Sequence, residues 1–96
     1  MEANEFDADF YAEILKVLGH PMRLRIVMGL MEEACNVNNI THCLALPQST
    51  VSQHLSLLKV HGIIRGERKG NEICYYVVND LAREIIGLIR KDGSVC

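Results

Sequence analysis

Four side chains in the stretch LPQSTVSQHLSLLK, Leu46 to Lys59, donate and accept hydrogen bonds without carrying charge: Ser49, Ser52, Gln53 and Ser56. At about 100° per residue they gather on one side of a helix, while Val51, Leu55 and Leu58 gather on the other. Solvated helical faces favour Glu and Lys, which this one lacks before Lys59. Neutral groups on small side chains suit close approach to a nucleic-acid groove. Gln can pair bidentately with adenine, and Ser or Thr can bond to any base edge or to phosphate. The competing reading is an ordinary amphipathic helix with a solvated polar face. Arg65, Arg68 and Lys69 follow the stretch. Alone they read as a solvated edge strand; with the helix they read as a cationic wing placed to meet phosphates.

Thiols are the other reactive groups. Cys35, Cys43, Cys74 and Cys96 stand in a chain with no basic, apolar leader, so reduced thiols in the cytoplasm are expected. No CxxC or Cys/His zinc spacing is present, and no metal site is expected. Cys43, beside Ile40 and Leu44, and Cys74, alternating in a strand, read as small hydrophobes. Cys35 and Cys96 fall at element ends, where a thiolate is accessible. No paired nucleophile and base, metal cluster or phosphate loop appears, and the histidines fit capping or packing. An enzyme is therefore not expected, nor a cofactor.

These groups need elements to position them. Residues 1–7 are acidic and expected to fray. Helical spacing runs through Phe10, Tyr11, Ile14, Leu15, Val17 and Leu18, and Gly19-His20-Pro21 breaks it. Leu24, Val27, Met28 and Met31 mark a second helix to about Glu33. Val37 to Ala45 forms a short third, with Val37, Ile40 and Leu44 inward. The quoted stretch is the fourth, ending near His61-Gly62. The apolar period then changes to two: Ile63 to Arg68 and Glu72 to Val78 flank Lys69-Gly70-Asn71 as a hairpin. Asn79-Asp80 caps a last helix, Leu81 to about Lys91. The order is four helices, a hairpin and a fifth helix: mainly α with a small β-hairpin, a winged helix-turn-helix.

At 96 residues the chain is expected to be one domain, residues 1–96, with a modest aliphatic core. No run approaches the ~18 apolar residues of a membrane span. The net charge is −2, but its distribution is uneven. Residues 1–20 hold five acids against one Lys, whereas residues 48–76, which include the polar helix and hairpin, are locally basic. That local field matters more than the total for docking on a polyanion. In the first and last helices the apolar residues fan over ~160°, wider than the ~100° stripe of a surface helix. Two-fold pairing of the chain would cover them and set two reading helices about one DNA turn apart.

KVLGHPMRLRIVMGL, LPQSTVSQHLSLLKVHGII and the hairpin ending in CYYVV resemble the ArsR/SmtB family of winged-helix repressors over roughly residues 12–90. The LPQSTVSQHL version is most similar to PagR-type members. The resemblance implies a homodimer that blocks a promoter until an effector loosens it, on a double-stranded operator that is an inverted repeat. It implies base contacts from Gln48, Ser49, Thr50, Ser52, Gln53 and His54, with Ser56 on the same face and wing contacts from Arg68 and Lys69. On the wheel Thr50 and His54 lie at the flank, so phosphate contact and a packed histidine both stay open. Many relatives carry a capping Ser where this chain has Pro47.

The family's metal sites are not matched. The Cys-x-Cys positions of the metalloid site hold Asn36 and Asn38, poor ligands for soft metals. LAREIIGLIRKDG lacks the His of the zinc site. A third family mode joins a thiol near the second helix to one near the C-terminal helix. Cys96 lies close to the second position; Met28 occupies the first, so Cys35 would have to substitute. The resemblance thus directs attention to Cys35 and Cys96 as a sensing pair for an oxidant, reactive sulfur or a thiol-bound metalloid. A protein-protein module without specific DNA binding is the alternative.

Overall fold

The computed structural model describes residues 7–89. Its elements are α1 (Ala8–Leu18), α2 (Pro21–Glu32), α3 (Val37–Leu44), α4 (Gln48–Val60), β1 (Ile64–Lys69), β2 (Glu72–Val77) and α5 (Asp80–Ile89). The expected order holds throughout. Asp7, expected within a frayed segment, instead caps α1: its Oδ1 accepts from the Phe10 N–H at 3.1 Å. The expected continuation of the last helix to Lys91 lies outside the described residues.

Each boundary has a local cause. Between α1 and α2 the His20 ring nitrogen Nδ1 accepts from the Met22 N–H at 3.1 Å, and Pro21 occupies the first turn, where it needs no N–H partner. The Arg23 side chain reaches back to the Val17 carbonyl at 2.7 Å, occupying an acceptor at the end of α1. Helix α3 stops at Ala45, whose φ of 55° is left-handed. Gly62 closes the C-terminal turn of α4 at φ 72°. The Asn79 Oδ1 accepts from the Ala82 N–H at 2.8 Å and starts α5.

β1 and β2 form one antiparallel hairpin, registered from Ile64 opposite Val77 to Lys69 opposite Glu72. The two-residue turn is Gly70-Asn71. Only Gly70 is left-handed there (φ 65°), as a type II′ turn requires at its first central position. The buried members of the strands, Ile64, Cys74 and Val77, join Ile63 under the helices.

One aliphatic cluster holds the elements together: Ile14, Val17 and Leu18 of α1, Ile26, Val27 and Leu30 of α2, Ile40, three residues of α4, the hairpin base, and Ala82 and Ile86 of α5. Among the described residues no charged or polar side chain is buried with them. The core therefore fixes where α4 points without a hydrogen-bond network to do so.

Candidate nucleic-acid interface

Val51, Leu55 and Leu58 are buried, at 1%, 5% and 0% exposure, and they anchor the inner face of α4. Gln48, Ser49, Ser52, Gln53 and Ser56 are all exposed. Such burial stabilises by about 1.5–3 kcal/mol per large aliphatic side chain, so rotating the helix to hide the serine face would cost several such terms. The helix-turn-helix is α3, the turn Ala45–Pro47, and α4. Pro47 precedes α4 with no side-chain cap, as its lack of an acceptor dictates.

The flanking positions differ from the centre of the face. Thr50 and His54 are half-buried. The His54 ring packs 4.9 Å from the His20 ring. Burial, then the neighbouring His20 and Arg23, push the His54 pKa below the ordinary histidine value. The His54 ring thus packs against the His20 cap of α2 at the flank of the exposed α4 face.

The wing carries its charge outward. Arg68 and Lys69 are exposed, with Arg68 Nη1 3.5 Å from the Gly70 carbonyl at the tip. Lys69 lies over the Tyr76 ring, 5.6 Å from its centroid, and the Tyr76 hydroxyl as hydrogen-bond partner raises the lysine pKa. Arg65 is exposed and paired with Glu67 at 2.9 Å. A half-open cavity of about 280 Å³ separates wing from helix, with Gln48 and Ser52 on one wall and Glu72 and Tyr75 on the other. Helix α4 and the wing thus face one shared cleft.

The thiols depart from expectation. Cys35, in the turn before α3, is disulfide-bonded to Cys74 of β2. The expected Cys35–Cys96 partnership is therefore replaced; Cys96 itself lies outside the described residues. Cys74 is fully buried, as a packing residue would be, but it is a cross-link as well. Cys43 is exposed on α3 rather than inward beside Leu44, and it too is disulfide-bonded. None of these three is the reduced thiol expected. Chain separation hid the pair: Cys35 and Cys74 are 39 positions apart in the chain, and the packing of β2 against the end of α2 brings them together. A backbone bond from the Tyr75 N–H to the Ala34 carbonyl, 2.8 Å, fastens the same junction. No cluster of three or more metal-ligating side chains occurs among the described residues.

Known proteins share this arrangement. The profile described as "Bacterial regulatory protein, arsR family" matches residues 20–66. The transcriptional repressor PagR of Bacillus anthracis is 48% identical over 80 residues, covering 81% of this chain and 79% of that protein. The chain belongs to the ArsR family. The HTH-type transcriptional repressor SmtB of Mycobacterium tuberculosis is 37% identical over 87 residues, 90% of this chain but 64% of its own length. The crystal structure of PagR superposes with a TM-score of 0.75 at 42% identity, covering 85% of this chain and 94% of that one. This ArsR-family protein is accordingly a winged-helix transcriptional regulator and not an enzyme.

Proposed function

We propose that this ArsR-family chain is a cytoplasmic, homodimeric, sequence-specific repressor that reads an inverted-repeat DNA operator through α4 and is released by an effector acting on its thiols. The observation that carries the reading is the neutral, exposed Gln48/Ser49/Ser52/Gln53/Ser56 face, backed by a fully packed inner face and opening on the same cleft as the wing. Gln53 and the serines supply base-edge contacts, while Arg68 and Lys69 supply phosphate attraction. Two exposed apolar faces support the dimer. Phe10 and Leu15 on α1, and Leu88 and Ile89 on α5, are each at least half exposed in the single chain. A second copy covers such faces at low cost because its own are identical.

The test is a titration of the protein against an operator selected from a random duplex library, repeated at rising salt. Specific binding should weaken steeply with salt because phosphate contacts release counterions. Gln53→Ala should lower preference for the selected site over point-mutated sites by about 1–3 kcal/mol. If no sequence is enriched and no binding appears even at low salt, the α4 face serves a protein partner instead.

A further inference from the structure

Cys35 and Cys74 join the turn before the helix-turn-helix to the base of the wing, and their two sulfurs differ in access. Cys74 is fully buried; Cys35 is half-buried and lines the cavity between α4 and the wing. Disulfides in a compartment that also holds DNA are usually transient and regulatory rather than structural. Exchange at a disulfide proceeds by thiolate attack on whichever sulfur can be reached. Here that sulfur is Cys35.

We propose that Cys35 is a covalent modification site for low-molecular-weight thiols, and that its mixed-disulfide form releases DNA. In the opening step an external thiolate attacks the Cys35 sulfur. A bond forms between the external sulfur and Cys35, the Cys35–Cys74 bond breaks, and Cys74 leaves as a thiolate that takes a proton. Reclosure is the reverse: the Cys74 thiolate attacks the Cys35 mixed disulfide and expels the external thiolate. Starting instead from the reduced protein, a low-molecular-weight disulfide is the oxidant. The Cys35 thiolate displaces one thiolate from it and keeps the other half as the adduct.

The adduct has a cavity beside it. The 280 Å³ cavity beside Cys35 is walled by Gln48, Ser52, Asn71, Glu72 and Tyr75 and opens toward the surface that α4 and the wing present. A glutathione-sized tail there sits between Gln48 and Ser52 of α4 and Asn71, Glu72 and Tyr75 of the hairpin. It crowds Gln48 and Ser52 and takes up space beside the α4 face. Opening the cross-link also frees β2 from the turn before α3, leaving the Tyr75-to-Ala34 backbone bond at that junction.

This inference rests on the repressor reading, and the experiment separates the two. Wild type, Cys74→Ser and Cys35→Ser are treated with glutathione disulfide, mapped by peptide mass and titrated against the selected operator, before and after dithiothreitol. Cys74→Ala replaces Cys74→Ser if circular dichroism shows the latter unfolded. With no Cys74 to reclose, the Cys74 variant should trap one glutathione on Cys35 and bind operator about tenfold more weakly, recovering on reduction. Cys35→Ser should gain no adduct at Cys74 and lose no affinity. The proposal is overturned by an adduct on Cys35 that leaves affinity unchanged, by absence of that adduct, or by equal loss in Cys35→Ser. If no form, reduced or oxidised, binds any selected DNA, the repressor reading fails, while mass mapping still reports on Cys35 chemistry.

Discussion

At the scale of single residues, His54 shows how one element can serve two demands. Its chain position lies at the edge of the reading face, but its ring turns back against His20, which caps α2 through Nδ1. Burial and the neighbouring His20 and Arg23 lower its pKa from the ordinary 6.5, so the unfolded chain binds this proton more tightly than the folded one. Stability from this site is therefore fully present above about pH 6.5 and is lost as pH falls through the lower folded value. Thermal unfolding across that range should show a steeper acid loss for wild type than for His54→Gln. Equal slopes would mean that other groups dominate. The wheel could place His54 only at the flank; its ring contact depends on His20, the N-cap of α2, which no local pattern links to it.

At the scale of elements, hydrophobic period and punctuation were enough to locate every helix and both strands. Those signals are local, as when Pro21, Gly62 and Asn79 each act within a turn of their own position. What local pattern does not carry is conformation at a position with no special residue. Ala45 is the example. It ends α3 in the left-handed region, where a Cβ is disfavoured and glycine or asparagine is usual. Ala45→Gly should therefore raise stability by about 0.5–1 kcal/mol, the relief of strain outweighing the added freedom of the unfolded chain. Denaturant unfolding measures it; a loss of stability would show that the surrounding turn has already relaxed the alanine. The disulfide was hidden for a related reason. Cys74 carries the alternation of a buried strand residue whether or not a sulfur faces it, and Cys35 faces it only after β2 has packed beside α2.

At the scale of the whole molecule, the apolar faces left outside bear on the proposed dimer. Phe10 and Leu15 on α1 and Leu88 on α5 are exposed although their helices are otherwise anchored by Ile14, Val17, Ala82 and Ile86. Leu15→Glu places a charge on that outer face without touching the core beneath. If the proposed dimer forms through this face, the variant should become monomeric in sedimentation velocity, keep the circular dichroism of the native chain, and bind operator more weakly because one half-site is lost. A variant that remains dimeric would place the interface elsewhere. The wide apolar fan of α1 and α5 was legible from spacing alone; which side of it faced outward needed the packed core.

The pair between His61 Nε2 and Glu13, 3.4 Å apart, crosses from the end of α4 to α1. In a dimer built on α1 and α5, the core shared by α1 and α4, with this contact beside it, would make α4 the arm of a divider whose hinge is the subunit contact. Base recognition and half-site spacing would then be set by one rigid span. An operator with good half-sites at the wrong separation would be rejected by geometry before any base was tested.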